Sequence, residues 1–189
     1  ALCSLGTLLQ DVRHDYQSAT QMYQRALEVN PEHVTTLCNY GTLLHEAMHD
    51  RDKAEAMFRA ALRADPAHTT TLCNYGGMQL EGGDFDAAEH LYRKAVLADP
   101  ADSVNLCLLG NLLREHKKDY RGAERMYKRA LEHDPHSVPT LLNYGHLAAL
   151  TSDDLDLAES LLDTALAVSP DHSDAIHGVE WIKHLQSAL

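Results

Sequence analysis

Cysteine, histidine and asparagine are the residue types through which this 189-residue chain can do chemistry, and their spacing decides which chemistry. Cys3, Cys38, Cys73 and Cys107 form an even set that suggests a disulfide framework or a tetrathiolate zinc site. They occur once per repeating segment at one position, which in packed helices separates neighbours by about 10 Å. Disulfide Cα atoms lie roughly 4.4 to 6.8 Å apart and zinc binds sulfur at about 2.3 Å. Free thiols in a reducing, cytoplasmic compartment are therefore expected. Of thirteen histidines, His33, His68 and His172 recur at one position and most others fall in turns or on polar faces, which predicts solvated rings. Titration near neutrality can still make partner binding depend on pH. No metal and no cofactor are expected. The chain also lacks a nucleophile elbow, a glycine-rich phosphate loop and a zinc-protease helix motif, so it is expected not to be an enzyme.

The elements that carry these residues follow from self-similarity. Gly6, Gly41, Gly76, Gly110 and Gly145 recur at intervals of 35, 35, 34 and 35, and Pro31, Pro66, Pro100, Pro135 and Pro170 keep the same intervals. Between them lie Ala19, Ala54, Ala88, Ala123 and Ala158, then Tyr23, Phe58, Tyr92, Tyr127 and Leu162 four residues later, then Ala26, Ala61, Ala95, Ala130 and Ala165. Apolar residues at spacings of three and four, such as Leu37, Tyr40 and Leu44, then Ala54, Phe58, Ala61 and Leu62, predict two amphipathic helices per segment, A and B. Asp15, Asp50, Asp84, Asp119 and Asp154 stand where a carboxylate can cap helix B, each worth about 1 kcal/mol. Proline then blocks continuation of helix B.

This pattern resembles the tetratricopeptide repeat (TPR) family, whose segments of about 34 residues carry a large apolar residue, Leu-Gly, Ala, an aromatic and Pro at fixed offsets. The resemblance covers essentially the whole chain. It implies an all-α, right-handed superhelix (α-solenoid) of five helix-turn-helix repeats, about 1–31, 32–66, 67–100, 101–135 and 136–170, as a single array closed by a capping helix over about 172–188. Departures are modest: leucine replaces the leading tryptophan, and four repeats carry one extra residue, most simply placed in the A-to-B turn. In the capping helix, Ile176, Val179, Ile182, Leu185 and Leu189 are assigned to the inner side, and Glu180 stands where glycine would be.

Charge and hydropathy narrow the partners. Sixteen basic against 28 acidic residues give a formal charge of -12, which disfavours nucleic acid and anionic membranes. No apolar run is long enough to cross a bilayer and no signal-peptide order opens the chain, so no membrane insertion is expected. The abrupt start in a helical pattern, Ala1-Leu2-Cys3, reads as a piece of a longer chain.

In the family, the residue two before the glycine faces a concave groove. Here it is Ser4, Asn39, Asn74, Leu108 and Asn143, and three of these five rungs resemble the asparagine ladders of O-linked N-acetylglucosamine transferase and kinesin light chain, which hold the backbone of an extended peptide. A primary amide offers a donor and an acceptor, suited to any extended residue. The same amides can instead bond to adjacent helices or face water. Thr42, His45, Leu108, Asn111, Arg114, His146 and Trp181 share the groove register; Trp181 can either anchor a ligand or pack against the fifth repeat. The clamp that other TPR domains use for a C-terminal carboxylate is absent, because Cys38, Cys73, Asn39, Asn74 and Thr35 occupy its positions. Acids near the groove lip, Asp11, Glu46, Glu81 and Glu115, favour a neutral or somewhat basic segment. The expected function is a protein-protein interaction scaffold for an extended peptide; the alternatives are a spacer or homo-oligomer acting through the array ends or convex face, or a substrate-recruiting arm of a larger enzyme.

Overall fold

A computed structural model describes residues 1–151 and 154–187, with side chains through His184. All regular structure among the described residues is helical: α1 (Leu2–Asp11), α2 (Tyr16–Val29), α3 (Val34–Glu46), α4 (Arg51–Ala64), α5 (Thr69–Glu81), α6 (Phe85–Ala98), α7 (Ser103–Leu112) followed by a π-helical turn (Leu113–Lys117), α8 (Tyr120–His133), α9 (Val138–Thr151), α10 (Leu155–Val168) and α11 (Ser173–Ser187). The chain divides into two compact units, Ala1–Ala98 with α1 to α6 and Asp99–Leu189 with α7 to α11. Odd-numbered helices are A helices and even-numbered ones B helices. The chain is an all-α protein of helix-turn-helix repeats.

Each hairpin closes on a glycine. A Cβ placed on Gly6, Gly76 or Gly110 would lie 2.6 Å from a ring carbon of Tyr23, Tyr92 or Tyr127, and on Gly41 2.8 Å from Phe58. Only a residue without a side chain lets the rings of helix B approach helix A this closely. Leu162 replaces the ring in the fifth repeat and leaves 3.2 Å at Gly145. The small alanines of helix B complete the contact: Ala19, Ala54, Ala88, Ala123 and Ala158 are all fully buried. The next repeat then packs its A helix on this pair, so that Tyr40 lies against Tyr23 at 5.9 Å between ring centres, Tyr75 against Phe58 at 5.7 Å and Tyr144 against Tyr127 at 6.2 Å.

The turns show why the repeats tolerate an extra residue. The cap carboxylates Asp15, Asp50, Asp84, Asp119 and Asp154 accept the amides of Ser18, Lys53, Ala87, Gly122 and Leu157, at 2.9 to 3.2 Å. The amide of the cap residue reaches back to Leu9, Leu44 and Leu113 in the longer repeats, six residues before it, but to Gln79 in the shorter third repeat. The added residue is thus taken up as a wider turn at the end of helix A, fully π-helical after α7. The residue before each of the first four caps is left-handed, at His14, His49, Gly83 and Lys118. In the B-to-A turns Asn30, Asp65, Asp99 and Asp134 accept the amide two residues on, with proline between.

Two expectations need correction. His33 and His68 are not merely solvated: Nδ1 of each accepts an amide, from Thr36 at 3.2 Å and Thr71 at 3.3 Å, and so caps α3 and α5. In α11 the buried stripe is Ala175, Val179 and Ile182, whereas Ile176, one residue or about 100° off that stripe, is exposed. The assignments of Leu185 and Leu189 lie outside the described side chains.

Two adjacent glycines test the hairpin contact. Gly76→Ala should lower stability by about 1–3 kcal/mol through overpacking. Gly77→Ala, whose Cβ would find only the Tyr92 hydroxyl at 3.8 Å, should leave it unchanged or raise it by up to about 1 kcal/mol. Thermal melts of the two variants check the difference in sign.

Candidate functional site

In the first unit α1 packs beside α3 and α3 beside α5; in the second, α7 beside α9 and α9 beside α11. Asn39, Asn74 and Asn143, each two residues before a glycine, therefore sit next to the preceding A helix. Asn39 Nδ2 donates to Thr7 Oγ1 at 3.1 Å and lies 4.0 Å from Cys3 Sγ. One repeat on, Asn74 Nδ2 donates to Thr42 Oγ1 at 3.0 Å and lies 3.8 Å from Cys38 Sγ. Thr7 and Thr42 are themselves fixed by donating to the carbonyls of Cys3 and Cys38, each at 3.2 Å. The donor half of both amides is engaged by the neighbouring A helix. Both asparagines are half-buried. His45, the fourth candidate of this unit, joins the acid Glu81 with Nε2 at 3.0 Å from Oε2.

In the second unit the same position is held differently. Asn143 Nδ2 lies 3.9 Å from Cys107 Sγ, and its Oδ1 accepts from the Arg114 guanidinium at 3.2 Å. Arg114 belongs to the π-helical turn after α7 and also meets Glu115 at 2.6 Å. Its Nε is buried with no hydrogen-bond partner among the described residues. Asn111 is engaged by helix B, its Oδ1 accepting from the Tyr127 hydroxyl at 2.8 Å. Leu108 is half-buried on α7. His146 and Trp181 come together in one pocket with Asp174, His177 and Gly178. The structure thus pairs Asn74 with Thr42, Arg114 with Asn143 and His146 with Trp181. The threonine partner Thr7, absent from the residues singled out in the sequence, is as much a part of the wall as Asn39; its shared register with Thr42 is the signal that marks it.

Among the described residues no group of three or more His, Cys, Asp or Glu side chains can hold a metal ion, and no helix is long and apolar enough to cross a membrane. None of the four cysteines is in a disulfide, and burial pushes the Cys38 thiol up, away from the reactive thiolate. His146 is held below the ordinary value of 6.5, first by burial and then by the Arg114 guanidinium, against the pull of the Asp174 carboxylate. Because the unfolded chain takes this proton first, His146 contributes stability above about pH 6.5 that is lost as the pH falls through that value. The drop in melting temperature between pH 7.5 and pH 5.5 should therefore be smaller in His146→Gln than in the wild type, and equal drops would exclude this contribution.

The family described as "TmcB, TPR repeats" matches residues 1–70, and two described as "Tetratricopeptide repeat" match residues 43–103 and 116–179. No curated protein matches the chain. Among solved structures the chain is similar to PilF of Pseudomonas aeruginosa, with a TM-score of 0.85 and 18% identity over 98% of this chain and 83% of that one. It is similar to YrrB, described as "a TPR protein with an unusual peptide-binding site", with a TM-score of 0.71 and 22% identity over 95% and 90%. Yeast Tom70 gives a TM-score of 0.83 and 17% identity over 99% of this chain and 39% of that one. At these identities the likeness is one of fold. With five glycine-closed hairpins in the register of the sequence repeat and three family matches along the chain, this protein belongs to the tetratricopeptide repeat family.

Proposed function

We propose that this chain is a protein-protein interaction scaffold whose A helices hold an extended segment of a partner. The observation that carries the reading is the equivalent placement of Asn39 and Asn74, each half-buried and each fixed through Nδ2 to a threonine of the preceding A helix. An amide locked in this way keeps Oδ1 in one orientation at each repeat, ready to accept a backbone N–H without an ordering cost on binding. In the second unit Asn143 shares its Oδ1 with Arg114, so the two residues offer a joint polar contact there, with Leu108 offering an apolar one and Asn111 and His146 further polar ones. YrrB, of the same fold, is described as carrying a peptide-binding site. The acidic balance of the chain favours a neutral or basic segment.

The amides cannot be removed without structural cost, because their donors hold neighbouring helices together. A paired comparison separates the two roles. Asn39→Ala and Thr7→Val both remove the Asn39–Thr7 hydrogen bond, and Thr7→Val also removes those with the Cys3 carbonyl and the Tyr23 hydroxyl, so each should lower stability by about 1 kcal/mol or somewhat more. Only Asn39→Ala removes Oδ1, so it should weaken capture of peptides selected from a displayed random library strongly, while Thr7→Val, which keeps Oδ1 and only frees the amide to turn, should weaken it less. Parallel loss in both variants would assign the asparagine to packing alone, and full capture by both would exclude it as a contact.

Self-association through the array ends is the second reading, and the face of α1 favours it. Leu5 and Leu8 are 43% and 48% exposed, whereas Tyr40 and Leu43 at the same register in α3 are 8% and 0% exposed beneath the preceding hairpin. Sedimentation across a range of concentrations should show association that Leu8→Lys abolishes; a wild type that stays monomeric throughout excludes this reading.

A further inference from the structure

Helix α11 repeats the A-helix register with altered residues. Gly178 stands where Asn143 stands in α9, and Trp181 where His146 does. A pocket of about 280 Å³ is lined by His146, Asp174, His177, Gly178 and Trp181, and Gly178 packs closely on α10, where a Cβ would lie 2.9 Å from Leu162. Asp174, His177, Gly178 and Trp181 are three or four residues apart and so share one face of the helix. Trp181 is 46% exposed although Val179 and Ile182, on the same helix, are buried in the core, so its indole is a surface rather than a packing element. The Asp174 carboxylate is exposed, with a 3.4 Å contact from the Ser173 hydroxyl.

We propose that this pocket takes the side chain of an arginine in the partner segment, the guanidinium lying on the Trp181 ring and pairing with the Asp174 carboxylate. This rests on the reading of the A helices as the holder of an extended segment and names the chemistry of one anchor in it. Three observations select a planar cation. An aromatic ring and a carboxylate lining one pocket are surroundings that a guanidinium can satisfy together, by stacking and by forked hydrogen bonds. The lining carries no lysine or arginine, and Arg114, the cation that reaches His146, is already paired with Glu115 at 2.6 Å. His146 is held neutral by burial, so it adds no opposing charge at neutral pH. The net charge of -12 draws such a segment in.

Trp181 is the chain's only tryptophan, so its emission reports this pocket alone. The whole 189-residue chain is titrated with the capped tripeptide acetyl-Ala-Arg-Ala-amide and with the same peptide carrying citrulline, lysine or glutamate, and the indole N–H resonance is followed alongside emission. The arginine peptide should give a saturable change at up to roughly 10 mM. Citrulline, which keeps the shape and loses the charge, should bind about tenfold more weakly or worse, as should the arginine peptide to Asp174→Asn. Circular dichroism checks that this variant is folded. Equal affinity for arginine and citrulline, lysine binding as tightly as arginine, undiminished binding by Asp174→Asn, or no saturable change in either signal would overturn the proposal. The tripeptide is too short to need the asparagine row. Its binding to Asn39→Ala therefore separates failure of this pocket from failure of the extended-segment reading.

Discussion

The close approach of a helix-A glycine to a helix-B ring is the contact on which everything else in this protein depends. At Gly6, Gly76 and Gly110 a single added carbon would sit 2.6 Å from a tyrosine ring, well inside van der Waals contact. That distance fixes how far apart the two axes lie and, with the alanines of helix B, how one helix is rotated against the other. The rotation then decides which side chains of helix A face the preceding hairpin and which remain half-exposed. Cooperative stability in such arrays comes from hairpins stacking on neighbours, because one hairpin cannot bury both its faces. The ring-to-ring contacts between successive repeats, such as Tyr23 with Tyr40, are the means by which one hairpin aligns the next.

Much of this was legible in the sequence because the residues concerned answer to one geometry each. Glycine under a ring, alanine at a close helix crossing and aspartate before the first turn of helix B each allow little else, and all appear where the repeat places them. The partners of the asparagines were not legible. Asn39 bonds to Thr7, 32 residues earlier, and nothing local to Asn39 distinguishes an amide turned to its neighbour from one turned to solvent. The caps formed by His33 and His68 were missed because imidazole is a less common acceptor at that position than Ser, Thr, Asp or Asn. The place of the extra residue could be narrowed to the A-to-B turn, but its absorption as a π-helical turn after α7 depends on backbone bonding that sequence spacing does not encode.

The candidate site illustrates how a repeat array becomes specific. Identical rungs can hold a backbone but cannot choose among side chains, so selectivity must come from positions where the repeat is broken. The second unit carries those breaks: Leu108 in the row of amides, Arg114 on a π-helical turn, and Gly178 and Trp181 in α11.

The central claim is that the glycine-ring approach sets the register of the first four hairpins, and a double-mutant cycle on Gly110 and Tyr127 tests it most directly. If the contact is as close as described, replacing Tyr127 by leucine should relieve most of the cost of Gly110→Ala, as Leu162 does naturally above Gly145, giving a coupling of about 1 kcal/mol or more. Energies that simply add, within roughly 0.5 kcal/mol, would mean the two residues do not meet and would contradict the account.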